Sequence, residues 1–262
     1  MEHKQSWILK RTLDDIHYDV ALMDDLSGQN ELVLAFQNHS DIIAGVYEGR
    51  PSFLCAYLYS ILGGVKTWEC SLDLMNFISV NPDLVKGKSV LELGCGSGLP
   101  GIAALLLGAA QVSFQDYNQS VIDLVTLPNL LLNTTNRPEE DFLSSVDHQD
   151  QELLIGDSPQ LDKSAFYSGD WRYLSNVIPK NQQVILTSET IYNSETIPHL
   201  LQLIQDVLAD DGICLVAAKQ MYFGCSGNME IFRNQALGCG FKVDEIFSNS
   251  GGVRRQIISL RK

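Results

Sequence analysis

The chain has 262 residues, 45% hydrophobic and 19% charged, which is enough to bury a core as one large domain or two small ones and excludes a disordered or fibrous chain. Its formal charge of −14, from 32 Asp and Glu against 18 Lys and Arg with no basic cluster, argues against direct nucleic-acid or anionic-membrane binding and favours a basic protein partner. The longest apolar runs, Phe53 to Leu62 and Ile102 to Ala110, fall short of the roughly 20 residues of a bilayer span, and Met1 to Arg11 lacks a secretion signal, so an intracellular protein is expected, cytoplasmic or nuclear and not secreted.

Residues 1–45 carry one strand-like run, Glu31 to Phe36, and read as an N-terminal cap on a domain spanning 46–262. Lys88 to Leu93 reads as a strand that breaks into Gly94-Cys-Gly96-Ser-Gly98 and resumes as a helix over Leu99 to Leu107. A second strand, Val112 to Gln115, ends on Asp116, and Gln119 to Leu132 reads as its helix. Thr134 to Lys163 has many acids, one basic residue (Arg137) and little periodicity, and reads as a mobile acidic loop. Strands follow at Ser164 to Ser168, ending on Gly169-Asp170-Trp171, and at Gln183 to Thr187, ending on Ser188-Glu189. A helix over Thr196 to Leu208, a buried strand over Gly212 to Ala218 and a helix over Asn228 to Leu237 come next, and Phe241 to Phe247 and Val253 to Leu260 close the chain as a hairpin. Alternating strands and helices ending in a hairpin predict an α/β sheet, mostly parallel, with one reversed strand near its edge. The six cysteines form no C-x-x-C pair, so free buried thiols are expected rather than zinc ligands or disulfides.

In such a sheet, ligands bind beyond the carboxyl ends of the strands, and four successive strands here end in candidate ligand groups. Gly94, Gly96 and Gly98 allow a tight turn and a close approach to a ligand. Asp116, about twenty residues later, ends the second strand where a carboxylate reaches both ribose hydroxyls. Glu92, two residues before the first glycine, is poorly placed for a pyrophosphate and suits the cationic methionyl part of S-adenosyl-L-methionine (SAM) better than a dinucleotide.

Gly45-Val-Tyr-Glu-Gly49, Lys66-Thr-Trp-Glu-Cys-Ser-Leu-Asp-Leu74, Val90-Leu-Glu-Leu-Gly-Cys-Gly-Ser-Gly98, Phe114-Gln-Asp-Tyr-Asn118, Val125-Thr-Leu-Pro-Asn129, Ser168-Gly-Asp-Trp171, Leu186-Thr-Ser-Glu-Thr-Ile-Tyr-Asn193, Ala218-Lys219 and Tyr222-Phe-Gly224 together resemble the class I seven-stranded methyltransferases. Within them, the likeness is to the eukaryotic histidine protein methyltransferases that act on a large-subunit ribosomal protein, and it runs from about Asp41 to the C-terminus. The glycine motif marks the superfamily, whereas Trp-Glu-Cys-Ser, Gln-Asp-Tyr-Asn and Ser-Glu-Thr-Ile-Tyr-Asn mark the branch.

The resemblance implies a Rossmann-like seven-stranded methyltransferase sheet with helices on both faces. It implies SAM as donor, S-adenosyl-L-homocysteine as product and no metal, with a monomer acting on a histidine, at the tele nitrogen, of a basic ribosomal protein. A protein lysine methyltransferase of the same fold and a non-catalytic SAM-binding module are the alternatives. Thr67, Trp68, Glu69, Cys70 and Ser71 would line the donor pocket, with Trp68 as a core residue the competing reading. Gln115, Asp116 and Tyr117 would hold the ribose, against capping of the strand end by Asp116. Gly169, Asp170 and Trp171 would meet the adenine, against a helix N-cap followed by a core tryptophan. Ser188 would touch the donor. Glu189 would orient the acceptor ring or take its proton, and Tyr192 would wall the channel, unless it serves packing alone. Residues 50–64 form an apolar insert that departs from the family pattern; it reads as a gene-model error, with an extra helix or an added substrate contact as the other readings.

Overall fold

The alternating apolar runs become seven strands, β1 (Ser89–Leu93), β2 (Gln111–Asp116), β3 (Ser164–Ser168), β4 (Gln182–Ser188), β5 (Leu208–Lys219), β6 (Lys242–Ser248) and β7 (Arg255–Arg261), in one sheet of order β3-β2-β1-β4-β5-β7-β6. This computed structural model describes residues 67–134, 160–249 and 252–262. The cap at 1–45 with its Glu31 to Phe36 strand, the Gly45 to Gly49 motif, the 50–64 insert and positions 135–159 of the acidic loop lie outside the described residues. Leu161–Lys163, from the end of that loop, is a 3-10 turn leading into β3.

Strands β1 to β5 are parallel neighbours, and β7 enters antiparallel to both β5 and β6, which makes it the one reversed strand. The helices are α1 (Glu69–Val80), α2 (Leu99–Leu106), α3 (Gln119–Val121), α4 (Leu127–Thr134), α5 (Trp171–Leu174), α6 (Ile197–Val207) and α7 (Met229–Gly238). The expected single helix over 119–132 is interrupted, because Ile122–Thr126 between α3 and α4 is wound as a π-helix. Helix α1 was not anticipated as an element.

Side chains alternate along each strand and divide the core in two. Val90, Val112, Phe114, Val184, Leu186, Leu215 and Ala217 pack under Leu74, Met75 and Ile78 of α1, Leu99, Ile102 and Leu105 of α2 and Leu127 and Leu130 of α4. Leu91, Leu93, Ile185, Cys214, Val216, Ala218 and Ile258 face Leu174 of α5, Leu200, Leu201 and Ile204 of α6 and Phe232 of α7. Helices therefore cover both faces, and all parallel strands deliver their carboxyl ends to one rim. Cys70, Cys95 and Cys214 are buried free thiols, but Cys225 and Cys239 are exposed, because they lie in a polar loop and at the C-cap of α7 rather than on core faces. No helix among the described residues is long and apolar enough to cross a membrane.

Candidate functional site

The turn after β1 holds Gly94, Gly96 and Gly98 at φ of 62°, 51° and 73°, the left-handed region that disfavours residues with a Cβ. Two of these glycines make room for protein rather than for a ligand: a Cβ on Gly94 would stand 2.5 Å from Thr190 Cγ2, and one on Gly98 would stand 2.9 Å from Thr126 Cγ2. The π-wound segment and α4 hold the turn by its carbonyls. Thr126 Oγ1 donates to Gly96 O at 2.7 Å, and Asn129 Nδ2 donates to Ser97 O at 3.0 Å, which gives the Val-Thr-Leu-Pro-Asn motif a physical purpose.

Glu92 is buried at 1% exposure, and its Oε2 accepts the Gly101 N–H of the first turn of α2, one of the helix-end donors without an intrahelical partner, at 2.8 Å. Burial pushes its carboxyl up to about 8, with Asp116 adding to the rise and the Gly101 bond opposing it.

Asp116 ends β2 at 6% exposure, where Oδ2 accepts the Gly96 N–H and Oδ1 the Asn118 N–H, each at 3.1 Å. Burial raises its pKa and these backbone bonds restrain the rise. A carboxylate has about four acceptor sites, so it retains capacity for a ligand hydroxyl. Gln115, fully buried, is a structural hub. Its Oε1 accepts Trp171 Nε1–H at 2.9 Å and the Gly94 N–H at 3.3 Å, and its Nε2 donates to Gly169 O at 3.0 Å. Tyr117, 67% exposed, stands on the outer lip.

Asp170 is the N-cap of α5, with Oδ1 accepting Arg172 N–H at 2.9 Å and the carboxylate forked by the Arg172 guanidinium at 2.7 and 3.1 Å. The hydrogen bond and charge of Arg172 hold it below the usual carboxylate range. The N-cap alternative to an adenine contact is therefore present in the structure. Trp171 is half-buried against the α5–α6 side of the core.

The fourth strand end differs in character. Glu189 has φ of 57°, unusual for a residue other than glycine and a store of strain of the kind found at active sites. It is held there by its own N–H, which donates to Ala217 O at 2.9 Å, and by the Thr187–Thr190 hydroxyl pair at 2.7 Å on either side. Its side chain is 7% exposed, and its buried Oε1 lies 3.5 Å from Lys219 Nζ. Tyr222 Oη is also buried. Burial, then the Glu189 charge and hydrogen bonding to it, pushes the Tyr222 phenol and the Cys70 thiol well up, so both are neutral donors beside that carboxylate.

Thr67, Cys70 and Ser71 are buried at the start of α1, and Glu69 and Trp68 lie outside them, with Trp68 38% exposed and therefore no core residue. Ser188, half-buried, ends β4. Tyr192 is 50% exposed and meets Tyr222 edge-on at 6.5 Å between ring centroids, so it borders the opening rather than filling the core. The structure brings together the β1 turn, Asp116, Gln115, Trp171, Glu189 and the start of α1 along one rim. Lys219 and Tyr222 were missed. Lys219 closes β5 by the same strand-end rule that found Asp116, so the signal was present. Among the described residues, no group of three or more His, Cys, Asp or Glu side chains is placed to hold a metal ion.

Comparison with known proteins accords with this geometry. The model of the PrmA family, ribosomal protein L11 methyltransferase, matches residues 66–155. The Bos taurus protein named histidine protein methyltransferase 1 homolog is 37% identical, with the alignment covering 89% of this chain and 58% of that protein. Histidine protein methyltransferase 1 of Saccharomyces cerevisiae is 31% identical over 97% of this chain and 76% of its own length. Among solved structures, a Streptococcus mutans protein assigned to the SAM-dependent methyltransferases superposes with a TM-score of 0.51 at 14% identity, over 74% of this chain and 49% of the other, a likeness of fold. The chain spans little more than half the length of the mammalian relatives. By its sheet order, its glycine turn and an identity that extends over three quarters of the yeast protein, the chain belongs to the histidine protein methyltransferase 1 family.

Proposed function

We propose that this chain is a SAM-dependent protein methyltransferase that acts on a histidine, at its tele nitrogen, of a basic protein of the large ribosomal subunit, in the cytoplasm or nucleus. The observation that carries the reading is Glu189: a buried carboxylate at a strand end, held there on a left-handed backbone with the Lys219 ammonium 3.5 Å away. The donor side fits the residues present. Asp116 retains acceptor capacity for ribose hydroxyls, the half-buried Trp171 offers an aromatic wall for the adenine, and the backbone of the Gly94–Gly98 turn together with Ser188 and Thr67 to Ser71 would border the rest. SAM, when bound, supplies a methyl group already activated on a sulfonium, and S-adenosyl-L-homocysteine is the product.

The work of the chain is positioning. A neutral imidazole, the dominant form above an unperturbed pKa of about 6.5, carries one N–H and one lone pair. Glu189, accepting the Nδ1–H, fixes the tautomer, leaves Nε2 as the nucleophile and stabilises the positive charge that the ring gains as the new C–N bond forms. Tyr192 would wall the approach. A lysine acceptor would first have to lose a proton, at a cost of about 4 to 5 kcal/mol at pH 7. The formal charge of −14 supports a basic substrate.

The test is incubation of the purified chain with radiolabelled SAM and ribosomal protein extracted from cells lacking the activity, followed by hydrolysis and chromatography of the labelled amino acid. Label in tele-methylhistidine is expected, with a rate that levels off around neutral pH. Label in methyllysine would overturn the acceptor, and SAM binding by calorimetry without label would overturn catalysis.

A further inference from the structure

The loop that leaves β5, residues 220–228, and the loop that leaves β4, residues 189–196, are joined into one piece beside the cleft rim. Met221 and Asn228 form an antiparallel bridge that doubles the first loop back on itself, and the Gln220 N–H at its start donates to Arg254 O at 2.8 Å. Gly227 N–H donates to Tyr192 O at 2.8 Å, and Ser194 N–H donates to Ser226 Oγ at 3.1 Å. A Cβ on Gly227 would stand 2.1 Å from Ile191 O, so only glycine lets the two backbones meet this closely. Tyr222 packs against the core beneath α6 and α7 and meets the Tyr192 ring edge-on. Its two chain neighbours stay outside: Phe223 is 85% exposed and Met221 60%, beside Tyr192 at 50%.

A single exposed apolar side chain is ordinary, but three together on a braced pair of loops next to a strand-end cleft mark an interaction surface. Methionine and aromatic residues are the types that interface cores concentrate, and a loop already ordered by backbone bonds loses little freedom on binding. The charge around the cluster selects the partner. Glu195 on the β4 loop and Glu230 in the first turn of α7 are exposed and form no ion pair among the described residues. The neighbouring cations are engaged, Lys219 at 3.0 Å from Glu69 and 3.5 Å from Glu189, and Arg254 at 3.4 Å from Glu245. An apolar centre in a negative surround fits an apolar side chain carried in a Lys- and Arg-rich stretch of protein. We propose that Met221 and Phe223, beside Tyr192, are the surface on which the protein substrate docks, taking an apolar side chain from a basic stretch near the residue to be methylated. This inference rests on the methyl-transfer reading above and names what holds the substrate to that site.

The test uses the full chain, with Met221→Ser/Phe223→Ser and Glu195→Lys/Glu230→Lys, radiolabelled SAM and the same ribosomal protein extract. The extract concentration that gives half-maximal labelling should rise about tenfold in Met221→Ser/Phe223→Ser, with the maximal rate and the calorimetric SAM affinity within about twofold of the parent. In Glu195→Lys/Glu230→Lys it should rise about threefold or more at low ionic strength and less at high. An unchanged half-maximal concentration, or a loss confined to the maximal rate or to SAM affinity, overturns the proposal; the same measure applies if the label is in methyllysine. Both serine positions are exposed, so the variant should melt within about 2 °C of the parent. A fall of about 6 °C or more would show that the chain's own residues cover the cluster, and overturns it. Phe223→p-benzoylphenylalanine, irradiated in the extract, reads docking without turnover. A crosslink to a basic ribosomal protein whose yield falls in the Glu195→Lys/Glu230→Lys background supports the surface even if nothing is labelled. A crosslink between two copies of this chain, one indifferent to those charges, or none, overturns it.

Discussion

The indole Nε1–H of Trp171 donates to Gln115 Oε1 at 2.9 Å, so two side chains expected at the donor site are also joined to each other. The bond ties the end of β2 to α5 and, through the Gly94 N–H on the same oxygen, to the glycine turn. Trp171→Phe and Gln115→Leu should therefore be coupled: a double-mutant cycle in urea should show an interaction of about 1 kcal/mol, and additive losses would show that the two residues act separately.

Asp116→Ala removes the acceptor at the end of β2 that also orders Gly96 and Asn118. SAM affinity should fall about 10- to 100-fold by calorimetry, as expected for loss of hydrogen bonds to a charged group. An unchanged affinity would sink the ribose assignment.

Glu92 carries a pH signature of its own. Its folded-state pKa of about 8 lies above the ordinary carboxyl value, so the native state holds a proton that the unfolded chain releases from about pH 4.5 upward. Stability should decline as pH rises between those values and level off above them. Glu92→Gln keeps an acceptor for Gly101 and lacks the titration, so between pH 5 and 8 it should lose less stability than the parent, by about 3 kcal/mol. Urea midpoints across that range make the comparison.

Gly94→Ala meets two penalties, a left-handed φ of 62° and a Thr190 methyl 2.5 Å from the new Cβ. A loss of about 2 kcal/mol or more is expected. Adding Thr190→Ser removes that methyl and should restore part of the loss, leaving the conformational part; thermal melts of the three variants separate the two.

Tyr222→Phe separates stability from activity. The hydroxyl is buried beside the Glu189 carboxylate, and its removal should change stability by no more than about 1 kcal/mol. If the group serves the acceptor site, label incorporation should fall by about tenfold in the same variant. A variant that is both less stable and fully active would assign Tyr222 to packing.

The sheet was legible because its signals are local. The ends of β1, β3 and β4 fall within one residue of the apolar runs that predict them, and Asp116 follows from strand-end logic. Helix α1 was readable only as a motif. Its buried positions Cys70, Ser71, Leu74, Met75 and Ile78 mix polar with apolar residues, and no glycine or proline marks its start. Glu92, Asp170 and Gln115 each have a protein partner, a helix end, a neighbouring arginine or an indole, that spacing alone does not reveal. Lys219, Glu69 and Glu189 come from three elements far apart in sequence, and the left-handed backbone of Glu189 leaves no trace in residue type.

The insertion of β7 between β5 and β6 constrains the order in which the molecule is assembled during synthesis. Residues 242–248 leave the ribosome before residues 255–261, yet β6 bonds only to β7, so β6 must wait outside the sheet until its later partner arrives. In that interval the Cys214 to Lys219 half of β5 presents a bare apolar edge, which β6 could occupy wrongly in parallel. The ladder that carries Lys219 is thus among the last to close, and the nascent chain is most exposed to mispairing and to chaperone capture just before it does.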